Sequence, residues 1–159
     1  MSIDVKNFIS KHEGRRPRVY PDTRGILTIG VGCNLQRADA RQRLTAVGAD
    51  YDAVLLGKAD LTEAQIDALL QEDIDACGVQ LHKLLPDFDT YPDLVTTVCY
   101  DLCFNMGLAK LESFHNTLAC IRNRDWKGAA DNLRQSLWAK QVGHRAIDDI
   151  QLLLDADAT

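Results

Sequence analysis

The chain has 159 residues, 46% hydrophobic and 26% charged, and 18 Lys and Arg against 23 Asp and Glu leave a net charge of −5. That is enough apolar material for one ordinary core, or for two small lobes sharing a helix, and a chain this mixed, without low-complexity tracts, is not a disordered one. Nothing in this acidic balance predicts nucleic-acid binding, which favours a concentrated basic face, and no apolar run approaches the roughly 20 residues that span a bilayer.

The N-terminus, Met1-Ser2-Ile3-Asp4-Val5-Lys6, lacks the basic segment and apolar run of a signal peptide, so synthesis in a cytoplasm without a signal peptide is expected. Ser2 is placed to cap a first helix reaching Lys11 or His12, with Val5, Phe8, Ile9 and His12 recurring on one side. Gly14 and Pro17 stop it. Arg18-Val19-Tyr20 and Ile26-Leu27-Thr28-Ile29 read as short strands joined by the turn Pro21-Asp22-Thr23-Arg24-Gly25. Gly30-Val31-Gly32 is a second turn, leading into Cys33-Asn34-Leu35 as a third strand.

The rest reads as helix. A short one runs from Asp39 to Val47 and closes at Gly48. Thr62 and Gln65 stand in capping-box register ahead of a helix with Ile66, Leu69, Leu70, Ile74, Cys77 and Leu81 on one stripe. Its length, about 20 residues or 30 Å, suits a connector between lobes. Pro86-Asp87-Phe88-Asp89 ends it. Pro92 opens a helix that turns Leu94, Val95, Val98, Leu102 and Cys103 inward, and Gly107 breaks it. Helices follow around Leu108–Glu112, Asn116–Arg122, Trp126–Arg134 and Arg145–Leu154. The fold class is α+β and mostly helical: a small β-containing lobe over residues 13–60, a connecting helix over 61–82, and a helical lobe of 83–159 plus 1–12. A cleft between lobes is a usual seat for an extended ligand.

Two carboxyl groups stand out. Glu13 closes the first helix, Asp22 sits in the turn nine residues on, and the Thr28 hydroxyl follows on a strand. Cleaving a glycosidic bond takes one carboxyl that keeps its proton and one that stays charged. Read alone, Glu13 is also a helix-end partner for an arginine, Asp22 is ordinary turn chemistry, and Thr28 is a β-branched strand residue. The run Arg15-Arg16-Pro17-Arg18 fits a solvated turn or a site of attraction for an anionic polymer. Cys33, Cys77, Cys99, Cys103 and Cys120 are odd in number and widely spaced, so they read as free, mostly buried thiols. His12, His82, His115 and His144 show no ligand spacing, and no metal or cofactor is implied. Trp126 and Trp138 read as core, and Asp148 and Asp149 as a solvated helix face.

Beyond these single positions, ordered blocks run through the chain: His12-Glu13-Gly14, Asp22-Thr23, Thr28-Ile29-Gly30-Val31-Gly32, Phe104-Asn105-Met106-Gly107, Phe114-His115-Asn116-Thr117-Leu118, Asp131-Asn132-Leu133, Ser136-Leu137-Trp138 and Gly143-His144-Arg145-Ala146. In this order and spacing the chain resembles the bacteriophage-type lysozymes, muramidases of glycoside hydrolase family 24, over about 140 residues. The resemblance implies a lysozyme-like fold and an endo-acting, monomeric enzyme. Its substrate is the glycan strand of bacterial peptidoglycan, which it meets at the cell wall with no membrane insertion. It implies that Glu13 is the general acid and Asp22 the second acidic residue, with Thr28 helping to place the water. It also implies sugar contacts at Asn34, Leu35, Phe104, Asn105, Thr117 and Asn132, and Arg145 as a supporting partner of Glu13. For an inverting reaction the carboxyl groups stand about 6.5–9.5 Å apart. Burial favours the protonated glutamate, while Arg145, Arg15 and Arg16 oppose it.

Two departures accompany the resemblance. Cys33 stands where some relatives have a histidine paired with an aspartate, and this chain is acidic where familiar members are basic. Two rival readings remain: a lytic transglycosylase, which lacks the need for Asp22 and Thr28, and a non-catalytic wall-binding module.

Overall fold

The computed structural model describes residues 4–159. Helix α1 spans Val5–Glu13 and starts from Asp4, whose Oδ1 accepts the backbone N–H of Lys6 at 3.0 Å and of Asn7 at 3.3 Å. The cap is therefore Asp4, a residue type as apt for the position as serine; the expected cap Ser2 lies outside the described residues.

Three antiparallel strands follow in the order β1-β2-β3: Arg16–Pro21, Leu27–Gly30 and Cys33–Asn34. In β1 and β2, Tyr20 faces Thr28 and Pro21 faces Leu27, with an irregularity between Arg16 and Tyr20. In β2 and β3, Thr28 faces Asn34 and Ile29 faces Cys33. Tyr20, Thr28 and Asn34 thus form one row across the sheet. Helices α2 (Ala40–Ala46) and α3 (Tyr51–Leu55) come next. Helix α3 escapes the sequence pattern because five residues are too few to show a period. Asp50 caps it, accepting Ala53 N–H at 3.2 Å, and Tyr51 donates its hydroxyl to Leu35 O at 2.8 Å.

Helix α4 spans Glu63–Leu84, and its capping box closes as expected: Gln65 N–H donates to Thr62 Oγ1 at 3.1 Å, and Thr62 N–H to Gln65 Oε1 at 2.9 Å. A 3-10 turn at Phe88–Thr90 leads to α5 (Asp93–Met106), with Pro92 one step outside the first helical position. The remaining helices are α6 (Leu108–Glu112), α7 (His115–Arg122), α8 (Trp126–Arg134), α9 (Leu137–Val142) and α10 (His144–Asp157). The six-residue α9, capped by Ser136, is the second element without a sequence signal long enough to read.

The chain divides into two compact units, Ile9–Asp75 and Ala76–Thr159, the second joined by the segment up to Phe8. In the first, Ile29, Leu35, Leu44, Ile66 and Leu70 are fully buried. In the second, α10 packs on α5 and α8, and the core holds Val95, Val98, Leu102, Leu133 and Leu153. Each such aliphatic side chain contributes about 1.5–3 kcal/mol when buried. Trp126 and Trp138 belong to this core, as expected. The five cysteines are free thiols; four are buried, and burial pushes the Cys99 thiol up to about 12, which leaves it inert. Cys33 has acquired a partner of its own: Arg43, 4% exposed, donates to its Sγ at 3.7 Å and forms ion pairs with Asp73 at 2.8 Å and Glu72 at 2.9 Å. A buried arginine–carboxylate group thus adjoins Cys33.

Candidate active site

Glu13 is the last residue of α1, half-buried, and the next residue ends the helix. Gly14 has φ +82° and bonds back to Ser10 O at 2.9 Å, a left-handed stop that a side chain would strain. Buried Ile9, one turn earlier, anchors this end of the helix.

Asp22 begins a hairpin whose loop is Thr23-Arg24-Gly25. Gly25, at φ +79°, donates its N–H to Asp22 O at 2.9 Å, and Asp22 N–H donates to Ile26 O at 2.9 Å. The Asp22 carboxylate is fixed by the same turn: Oδ1 accepts Arg24 N–H at 2.8 Å and Ile26 N–H at 2.9 Å. Those bonds, that from Ile26 foremost, hold the carboxyl below its ordinary value, with the Arg24 charge assisting. Among the described residues Oδ2 accepts no hydrogen bond, so an ionised oxygen is left for a ligand.

Thr28 is 5% exposed and donates its hydroxyl to Ile26 O at 2.9 Å. With the proton committed, Oγ1 presents lone pairs. Asp22 and Thr28 are therefore two hydrogen-bond acceptors mounted on the backbone of one residue, Ile26. Tyr20, across from Thr28, lies within electrostatic reach of both acids: burial raises its phenol most, Arg16 lowers it, and Glu13 and Asp22 raise it again. On the other side of Thr28, Asn34 is half-buried, its Oδ1 accepting Gln36 N–H at 2.7 Å and its Nδ2 left to donate. Leu35 is different. Its side chain is fully buried, its N–H donates to Leu27 O at 2.9 Å and its carbonyl receives the Tyr51 hydroxyl. The Leu35 side chain serves the core and is not presented to a ligand.

The arginines beside Glu13 are mostly engaged. Arg15 reaches Glu63 at 2.6 Å and Asp67 at 2.8 Å, and Arg18 reaches Asp60 at 2.9 Å. The run is thus neither a plain solvated turn nor a wholly available cationic patch.

In the helical unit, Thr117 and Asn132 line a pocket of about 360 Å³ with Ser113, Phe114, His115 and Asn116. Thr117 is buried at the base of α7; Asn132 on α8 spends its amide N–H groups on Gly128 O at 2.9 Å and Cys120 Sγ at 3.6 Å, leaving its carbonyl oxygen as acceptor. Ser113, His115 and Asn116 carried no sequence signal beyond lying in or beside a recognised block. Asn105, exposed at the end of α5, accepts the Trp138 indole N–H at 2.7 Å, and Phe104 is half-buried against the core. Neither lines that pocket.

Arg145 is 7% exposed and makes a two-bond pair with buried Asp101, at 2.9 and 2.7 Å. Beside them lies Asp149, fully buried, neither oxygen in a hydrogen bond of ordinary geometry. This corrects the expected solvated face: Asp149 points inward and Asp148 is half-buried. Burial, then the Asp101 carboxylate, push the Asp149 carboxyl well above its ordinary value. The sequence did hold a clue to this group, since Asp101 interrupts the apolar face of α5 between Val98 and Leu102. Among the described residues no group of three or more His, Cys, Asp or Glu is arranged to hold a metal ion, and no helix is long and apolar enough to cross a membrane.

Comparison with known proteins gives concordant matches. The sequence model of the phage lysozyme family matches residues 10–150. "Probable T4-type lysozyme 1" of Dictyostelium discoideum is 21% identical over 154 residues, covering 92% of this chain and 91% of its own. "Probable T4-type lysozyme 2" of the same organism is 22% identical over 154 residues with the same coverage. The "Pre-baseplate central spike protein Gp5" of Enterobacteria phage T4 is 24% identical over 152 residues, which are 91% of this chain and 26% of that protein.

Proposed function

The chain belongs to the phage lysozyme family, and we propose that it is an endo-acting muramidase that hydrolyses the β-1,4 bond between N-acetylmuramic acid and N-acetylglucosamine in bacterial peptidoglycan, causing lysis. The observation that supports this reading is the pair of acceptors on the Ile26 backbone: an ionised Asp22 with one oxygen open, and a Thr28 hydroxyl whose proton is already committed. A water donating one hydrogen to each turns its own lone pair outward, toward an anomeric carbon. No such pair is needed by a transglycosylase, in which the sugar attacks itself, or by a module that only binds.

In this mechanism Glu13 gives its proton to the glycosidic oxygen as the bond to the anomeric carbon breaks. The oriented water attacks from the opposite face, and its proton passes to Asp22. The product is inverted, which calls for the wider carboxyl spacing, about 6.5–9.5 Å. Asn34 and the pocket residues Thr117 and Asn132 are the sugar-binding groups, with Phe104 and Asn105 beside them. Arg145, held by Asp101, acts as a supporting cation for Glu13.

The test is clearing of bacterial wall suspensions by the protein and by Glu13→Gln, with masses of the soluble products. Clearing by the native chain alone, with products heavier by one water than anhydro-sugars, is the expected result. Equal clearing by both removes Glu13 as the acid, and anhydro products replace hydrolysis with transglycosylation.

A further inference from the structure

Of the three arginines beside Glu13, Arg16 differs from its neighbours. Arg15 and Arg18 are neutralised by Glu63, Asp67 and Asp60. Arg16 is exposed and has no carboxylate partner among the described residues; its guanidinium lies over the Tyr20 ring, 4.4 Å from the centroid. That ring stands across from Thr28 in the sheet, and its phenol feels both Glu13 and Asp22. An uncompensated cation is therefore held at the row that carries Thr28.

The way it is held matters. The ring's π face attracts the guanidinium by its charge and takes no lone-pair hydrogen bond, so the N–H donors along its open edge remain for a ligand. A carboxylate can take two parallel bonds from that edge without displacing the ring. A salt-bridged arginine, such as Arg15, has no such edge to offer. The polymer proposed as substrate carries carboxyl groups beside the sugar chain, on the lactyl ether of muramic acid or on the attached peptide.

We infer that Arg16, braced on Tyr20, binds a carboxylate substituent of the glycan next to the scissile bond and makes the enzyme selective for acidic walls. This rests on the muramidase reading and adds to it a specificity-determining residue.

The experiment measures release of reducing ends from three preparations of wall: native, stripped of peptide so that lactyl carboxylates are free, and with all carboxyls converted to neutral amides. The native chain is compared with Arg16→Gln and Arg16→Lys. A charge-assisted pair at an exposed edge predicts that Arg16→Gln raises KM on native walls about tenfold with kcat little changed. The preference for native over amidated walls collapses in Arg16→Gln and is partly kept in Arg16→Lys. The lactyl carboxyl is an amide wherever a peptide is attached, so a defect on native walls that disappears on stripped ones identifies the peptide carboxylate, and one that deepens on stripped walls identifies the lactyl carboxylate. Equal loss on native and amidated walls, or no loss, overturns the inference while leaving the muramidase reading intact. A native chain inactive on all three brings down that reading, and the inference with it.

Discussion

Asp22 and Thr28 are joined through the backbone of a single residue, Ile26. Ile26 N–H donates to Asp22 Oδ1, and Ile26 O receives both the Asp22 N–H and the Thr28 hydroxyl, each at 2.9 Å. Asp22 takes its position from the turn itself, and Thr28 from the same backbone together with its burial in the strand.

Asp22→Asn keeps an oxygen for the two backbone donors and removes the charge. Activity on walls is expected to fall by about a hundredfold or more, with a melting temperature close to the native one. Near-native turnover would take Asp22 out of the chemistry. The ionised form is favoured by folding, since the folded carboxyl lies below its ordinary value of 3.8. Its contribution to stability is therefore present above that pH and lost as pH falls through the lower folded value. Denaturant titrations from mildly to strongly acidic pH should show a smaller loss in Asp22→Asn.

Thr28→Val preserves the branched shape in a site 5% exposed and deletes the acceptor. Losing one of two anchors on the water should lower kcat by roughly tenfold to a hundredfold, whereas Thr28→Ser retains most of it. Steady-state kinetics on soluble glycan decides; equal rates for valine and threonine would show that no water depends on this hydroxyl.

Asp149 is a buried acid whose folded pKa is raised. The folded state then binds the proton that the unfolded state has released, so stability falls as pH rises from the ordinary value toward the folded one. Asp149→Asn should abolish that slope and be more stable than the native protein at neutral pH. Asp101→Asn, by contrast, strips a two-bond partner from a buried arginine and should destabilise by about 3 kcal/mol. Urea titrations of both variants at several pH values test the pair, and a native-like pH slope in Asp149→Asn would refute the assignment.

His82 places Nδ1 2.6 Å from Gly78 O and Nε2 2.6 Å from Asp89 Oδ1. Both neighbours are acceptors, which favours the form of the ring with a proton on each nitrogen. The Gly78 carbonyl first, then Asp89, raise the ring above its ordinary 6.5. This contribution is full below that pH and is lost as pH rises through the raised folded value. An NMR titration of the ring should show the raised midpoint, and Asp89→Asn should bring it down; no movement would mean that the carboxylate does not hold the proton.

The local signals and the long-range ones differed in kind. The Asp22 turn, the Thr62–Gln65 box and the glycine after Glu13 were legible because each is completed within four residues. The same locality let an ordered set of blocks identify the family. Helices α3 and α9 were missed because five or six residues do not display a period.

What the order of residues determined by itself is the set of groups able to do the chemistry and the elements that carry them: an acid ending a helix, an acid closing a turn, a hydroxyl on the adjoining strand. Folding in three dimensions decided which charges are spent. Arg15 and Arg18 meet carboxylates more than forty positions away, Arg43 is buried against Asp73, and Asp149 is turned inward beside Asp101 while Arg16 is left on an aromatic ring. Such outcomes depend on burial and on partners brought together across long stretches of chain, and the energy of a charge is set by those surroundings far more than by its neighbours in sequence.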